Sequence, residues 1–313
     1  MVTPKESLEA IHGRFGRHGG CRALHAKGHV LAGTFTATPR AAELTRAAHM
    51  QGEPVGVTAR LSNGSGDPDD PDFAPDVRGL AVKFYLPDGS RTDISAQSAP
   101  RFPVSDPDGF VGFLRAQSGG LSQAVKLPAF LATHPRTVAT LPANLPALKP
   151  PASYATIPYY AVHAYRWVDA GGGEHFVRYT WRPTEGDQRL SSREAKAKGP
   201  DYLKTDLTDR IARGTVTFEL ELQIAAAGDR TDDPSAQWPD DRERAVAGTL
   251  ELTAIDTERE KDGDVLVFDP TRVTDGIELS DDVVLNFRSP AYSESVEERS
   301  GRKRGAEIDG PGA

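Results

Sequence analysis

The sequence predicts an α+β fold: an antiparallel β-barrel core with surrounding helices. Most strand candidates follow one another through turn signals, as in a meander, rather than alternating with helices as a doubly wound sheet requires. Helical patterns flank these strands at 5–17, from Asp106, across 125–152, at 200–213 and from Ser280. The chain has 313 residues and no internal repeat, so it is long enough to bury a sizeable core.

Leu8, Ile11 and Phe15 share one side of an amphipathic helix over 5–17. From Cys21 the pattern becomes alternating, through Leu24 and Ala26 to Val30, Leu31 and Thr34-Phe35-Thr36, and reads as strand. Leu44 to His49 reads as a short helix, and Val55–Leu61 as a strand ending at Asn63-Gly64. The Asp- and Pro-rich stretch 67–76 is weighed as a calcium loop, but its prolines and the lack of a glutamate at the twelfth position favour a solvated loop. Gly79–Leu86 is a strand closed by the turn Pro87-Asp88-Gly89-Ser90, with a short strand after it at Thr92–Ser95. Asp106-Pro107 opens a helix through Phe110, Phe113 and Leu114, and 125–152 reads as short helices joined by proline turns. Ala161–Val168, His175–Arg182 and Thr215–Ile224 are strands, 200–213 is a helix, and Val265–Phe268 is a final strand. Residues 1–302 are expected to form one domain. The charged, Gly-rich tail is expected to be disordered over 303–313.

A net charge of −8 argues against nucleic acid or an anionic membrane as the main partner. Cys21 is the only cysteine, which rules out an intramolecular disulfide and a cysteine metal cage. The N-terminus lacks the apolar core of a signal peptide and no run approaches membrane-spanning length, so the expected location is cytoplasmic.

Two segments carry chemistry. Ser280-Asp281-Asp282 reads as a helix start, a hydroxyl cap followed by carboxylates in the first turn. On that helix Arg288 and Tyr292 stand four apart, so guanidinium and phenol share a face. A cation beside a phenol favours the phenolate, a hard ligand able to hold ferric iron. The other segment is Arg22-Ala23-Leu24-His25-Ala26-Lys27-Gly28. Read as strand, it puts His25 on the face of the small Ala23, with room to stand over a flat ligand. Read blandly, Arg288 and Tyr292 are surface neighbours and His25 a satisfied core or surface residue. A metal pair with His29 has helical spacing and no nearby carboxylate to complete it.

These segments, with Val77-Arg78-Gly79-Leu80-Ala81-Val82-Lys83-Phe84-Tyr85 and Thr274-Asp275-Gly276-Ile277-Glu278, resemble in order the heme catalases, and among them the short catalase-related peroxidases. The resemblance runs from about residue 5 to 302. It implies a catalase-like antiparallel β-barrel core with surrounding helices, lacking the extended wrapping segment and C-terminal helical domain. It also implies heme b with ferric iron. Under it, His25 matches the distal histidine, Ser62 the hydroxyl that orients it, Tyr292 the iron ligand and Arg288 its charge partner. Arg22, Arg60 and Arg299 match the propionate-binding arginines, which suits the fixed fork of a guanidinium. Phe102 and Phe110 match the aromatic residues near the distal face.

The chain departs from the family pattern at Gln97, where an asparagine is usual, and at Pro290, which removes a helical hydrogen bond and should kink the helix. Arg178 stands in the strand that binds the nicotinamide nucleotide in large catalases, so no NADPH is expected. The implied activity is reduction of organic hydroperoxides or hydrogen peroxide by a small reducing donor, through a ferryl intermediate, with weak catalase activity. The rivals are a fatty-acid hydroperoxide dehydratase and a non-catalytic heme-binding protein. A monomer or homodimer is expected, since the wrapping segment interlocks the large enzymes.

Overall fold

The protein is described from a computed structural model, which covers residues 1–260 and 264–300. Eight antiparallel strands form the barrel: β1 (Gly28–Ala37), β2 (Val55–Asn63), β3 (Arg78–Tyr85), β4 (Arg91–Gln97), β5 (Tyr159–Val168), β6 (Glu174–Pro183), β7 (Val216–Ile224) and β8 (Arg244–Ile255). Their order is β4-β3-β2-β1-β8-β7-β6-β5, and a pairing of Gln97 with Tyr160 joins β4 to β5 and closes the ring. A short β9 (Ile277–Leu279) adds to β5. Closure removes the sheet edges that would otherwise invite pairing with other chains.

Among the described residues eight α-helices surround the strands: α1 (Pro4–Phe15), α2 (Pro39–Leu44), α3 (Pro107–Ala116), α4 (Gln123–Thr133), α5 (Pro135–Asn144), α6 (Ser192–Lys198), α7 (Tyr202–Arg213) and α8 (Val283–Ser300). Their starts follow sequence signals. Thr3 and Glu6 form a capping box ahead of α1, Ser191 and Glu194 one ahead of α6, and Asp106 accepts from the Gly109 amide before α3. The barrel interior is filled by Phe35, Phe84, Trp167, Trp181 and Phe218, all fully buried.

Alternation along the strands explains why the cavity lies where it does. In β2, β3 and β4 the residues Ala59, Leu61, Leu80, Val82 and Ile94 face the core. Their neighbours Arg60, Ser62, Gly79, Ala81, Ser95 and Gln97 line a cavity on the opposite face. That cavity is covered by α1, α3, α5, α8 and the pair Val267-Phe268.

The structure corrects several sequence expectations. Residues 21–27 are not strand, and the face assignment made for them does not hold. His25 has φ 58°, and the segment is tied across to the turn after β2 by His25 N–Gly64 O at 3.1 Å and Ala26 N–Ser65 O at 3.0 Å. Val265–Phe268 is buried but pairs with no strand. Its carbonyls are met by side chains instead, the Leu266 oxygen by Arg22 and Arg299 and the Phe268 oxygen by Ser95. The last barrel strand is the unforeseen β8, while β9 and α6 were also unforeseen. In place of a helix over Leu44 to His49, α2 starts after the Thr38 cap and a separate 3-10 turn covers Ala48–Met50. The cap of α8 is Asp282, not Ser280: its carboxylate accepts from the amides of Val284 at 2.8 Å and Leu285 at 3.1 Å. Pro290 does lie inside α8, as its position predicts, whereas Pro128 and Pro142 lie inside α4 and α5 rather than between them. The tail expected over 303–313 lies outside the described residues, and so does the domain limit at 302.

His49 gives the fold a pH dependence of its own. It is 1% exposed, its Nδ1 has no partner, and burial lowers its pKa to about 3. The unfolded chain takes up a proton near pH 6.5, so this contribution is complete above that pH and is lost as pH falls toward 3. His49→Leu should therefore gain on the wild type, in melting temperature, on going from pH 7.5 to pH 5. An identical difference at both pH values would rule the effect out.

Candidate active site

One cross-strand row sets the floor of the cavity. Gly28 pairs with Ser62, Ser62 with Gly79, Gly79 with Gln97, and Gln97 with Tyr160. The row leaves room for His25, because a Cβ on Gly79 would stand 2.8 Å from the His25 ring and from Ser62 Oγ. His25 Nδ1 lies 3.0 Å from Ser62 Oγ. With Nδ1–H donating to that hydroxyl, Nε2 carries the lone pair and is the ring atom left for a ligand. Burial, together with Arg60, Arg288 and Arg22, lowers the His25 pKa to about 3. The imidazole is therefore a neutral base across the ordinary pH range.

From the opposite side α8 presents Arg288 and Tyr292. Arg288 donates to the Tyr292 oxygen from Nε at 3.0 Å and also from Nη2. Behind Arg288, its Nη1 donates to His163 Nε2 at 3.3 Å, and His163 Nδ1–H donates to Asp282 at 2.6 Å. Burial lowers the His163 pKa against the pull of Asp282, which fits a neutral ring with its proton on Nδ1. Burial alone would lower the Arg288 pKa, but Tyr292 and Tyr165 outweigh it and raise it. A chain of hydrogen bonds thus runs from the buried Asp282 and His163 through the half-buried Arg288 to the phenol.

At a third corner Arg22, Arg60 and Arg299 converge on Glu260. Arg22 Nε and Arg60 Nε each donate to its carboxylate at 3.0 Å, and Arg299 Nη1 lies 3.8 Å away. Burial works against ionisation of Glu260, but Arg22 and Arg60 prevail and hold its pKa at about 2. A Cβ on Gly28 would stand 2.5 Å from Arg60 Cζ, so the guanidinium packs flat against bare backbone.

The structure brings together every residue singled out from the sequence. His25, Ser62, Gln97, Arg288 and Tyr292 line one cavity of ≈ 610 Å³, as do Arg22, Arg60, Arg299, Phe102 and Phe110. The Phe102 and Phe110 rings lie 5.5 Å apart, and Gln97 Nε2 donates to Ala99 O at 3.3 Å. His163, Asp282 and Glu260 were missed. A histidine within the apolar run Tyr159–Tyr165 of β5 was a signal for the first, and the α8 start a signal for the second; Glu260 gave none. Among the described residues no group of three His, Cys, Asp or Glu could hold a metal ion.

A catalase family model matches residues 19–306. The chain belongs to the catalase family. It is 49% identical over 306 residues to a catalase-related peroxidase of Mycolicibacterium paratuberculosis (strain ATCC BAA-968 / K-10), covering 98% of this chain and 97% of that one. A catalase-related peroxidase of Synechococcus elongatus (strain ATCC 33912 / PCC 7942 / FACHB-805) is 33% identical, with 96% and 89% covered. A catalase of Methanosarcina barkeri (strain Fusaro / DSM 804) is 29% identical, and the match spans 90% of this chain but 59% of that one. A crystal structure of a fungal catalase and a structure of a bacterial catalase share the fold, with TM-scores of 0.79 and 0.78 at 23% and 24% identity. They cover 91% and 90% of this chain, and 60% and 58% of their own lengths are matched. Like these relatives, the chain is an oxidoreductase of the peroxide-consuming class.

The residues present fit a heme. His25 and the Tyr292 phenol line the same cavity, and its arginine cluster already holds one carboxylate. Tyr292 would be the iron ligand, and Arg22, Arg60 and Arg299 would take the propionates.

Proposed function

We propose that the protein is a heme-dependent peroxidase that reduces organic hydroperoxides and hydrogen peroxide with a small donor and has weak catalase activity. The observation that carries this reading is a neutral His25, tied to Ser62, sharing one cavity with the Arg288–Tyr292 pair. A storage protein needs a ligand but no acid–base group. The heme, when bound, supplies the redox chemistry of O–O cleavage and of donor oxidation. His25 Nε2 takes the proton from one peroxide oxygen and returns it to the departing one, while Ser62 holds the ring in place. Arg288 complements a negative charge on the Tyr292 oxygen, and His163 and Asp282 hold Arg288. Phe102 and Phe110 give the cavity an apolar wall suited to an organic hydroperoxide. Arg178 is held by the carbonyls of Ala236 and Asp233 and lies over Trp238, which favours a protein that works without NADPH.

Heme-loaded protein should be given hydrogen peroxide, an alkyl hydroperoxide and a lipid hydroperoxide, each with and without a chromogenic donor. Donor oxidation should exceed oxygen evolution. Consumption of the lipid hydroperoxide without donor would instead indicate a dehydratase, and no turnover at all would leave a binding protein.

Gln97→Asn tests why the catalase activity is weak. The shorter amide should release Ala99 O and raise oxygen evolution relative to donor oxidation. One hydrogen bond is worth on the order of 1 kcal/mol, so the gain should be under about tenfold. An unmoved ratio would shift the cause from Gln97 to the openness of the cavity.

A further inference from the structure

We infer that Glu260 and a heme propionate are alternative occupants of the three-arginine cluster, so that Glu260 sets how tightly heme is held. The inference rests on the heme reading above and adds an internal competitor to it. Arg60 is buried, and each of its terminal nitrogens donates to a backbone carbonyl, Nη1 to His25 at 2.8 Å and Nη2 to Ala26 at 3.2 Å. Nε is the one nitrogen not committed to backbone, and Glu260 Oε2 sits on its single hydrogen at 3.0 Å. Arg22 turns its Nε and Nη2 edge to Glu260 Oε1, and its Nη2 also serves Leu266 O at 2.7 Å. A second carboxylate approaching this corner competes with Glu260 for Arg60 Nε and for the Nε–Nη2 edge of Arg22.

The backbone indicates that this arrangement is maintained against a cost. Glu260 has φ 61°, in the left-handed region that a residue with a Cβ avoids. It is held there from both ends. Its amide donates to Asp264 Oδ2 at 2.9 Å, Arg259 pairs with the same carboxylate at 2.6 Å, and its side chain is clasped by the arginines. If a propionate takes over the arginines, the side-chain half of that hold is released. Exchange thus swaps one carboxylate for another, and Glu260 lowers the apparent affinity for heme by the fraction of time it occupies the site in the heme-free protein.

The test is the equilibrium partition of heme between the full-length protein and a competing apoglobin, for the wild type, Glu260→Gln and Glu260→Asp. The same three are titrated in parallel with heme dimethyl ester, which has no carboxylates. Glu260→Gln should bind heme about tenfold more tightly, the value expected if Glu260 holds the cluster nine-tenths of the time in the heme-free protein. Glu260→Asp, whose shorter arm reaches Arg60 poorly, should fall between. The ester should partition equally in all three. A crystal structure of the heme-loaded wild type should show the Glu260 carboxylate away from Arg60 Nε. Unchanged or weaker heme binding by the Gln and Asp variants would overturn the inference, and so would a Glu260 still bridging Arg22 and Arg60 beside bound propionates. Either result leaves the heme reading intact, whereas a wild type that takes up no heme removes both.

Discussion

Replacing Tyr292 with phenylalanine should cost the protein its heme, or change the absorption of whatever heme remains. His25 is on the opposite side of the cavity and tied to Ser62. The variant also strands a charge, because Arg288 is half-buried and donates to the Tyr292 oxygen from two nitrogens. Losing hydrogen bonds to a charged group costs roughly 1.5–3 kcal/mol, so the heme-free variant should also melt earlier. The two effects separate cleanly. Arg288→Leu in the same background removes the stranded charge and should restore part of the stability, yet it cannot restore the ligand. Full heme occupancy with an unchanged spectrum in Tyr292→Phe would remove Tyr292 as the ligand, whatever happened to the melting temperature.

Tyr292 could be found from the sequence because a helix places residues four apart on one face, so Arg288–Tyr292 is a local contact. The strands β2, β3 and β4 were legible for a similar reason: each alternates cleanly between core and cavity residues. The distant pairings were not. His163 meets Asp282 119 positions away, and Glu260 meets Arg22 238 positions away, and no local pattern encodes either contact. Val265–Phe268 has the composition of a strand, yet arginine and serine side chains satisfy its backbone where a ladder would. Conversely, β8 has Ala247-Gly248-Thr249 at its centre and charged residues on its outer face, so its alternation is weak even though it pairs with both β1 and β7. The left-handed turn at His25 explains a further miss. The residue type pointed to the chemistry, while the strand geometry assumed for it was wrong. Its position comes from the 64–65 turn and from the bare backbone at Gly79, both set by β2 and β3.

His25→Ala should leave heme in place and slow its reaction with peroxide by about 10²–10⁴, the usual worth of a positioned acid–base group. Heme should stay because its proposed anchors, Tyr292 and the arginine cluster, lie elsewhere in the cavity. The rate should fall because the neutral imidazole is the base nearest the cavity floor, and alanine neither accepts nor returns a proton. Ser62 cannot take over, since a hydroxyl is not a base at neutral pH. The pH profile gives a second, independent reading. His25 is lowered to about 3 by burial and by the cations around it, so the wild-type rate should stay level from neutral pH down toward that value, without the fall near 6.5 expected of an exposed histidine. Rapid mixing with peroxide across pH 4–8 measures both. A loss below tenfold in His25→Ala would mean that another group moves the proton. A wild-type profile breaking near pH 6.5 would mean that the ring is far more solvated than its burial under Gly79 and the 64–65 turn implies.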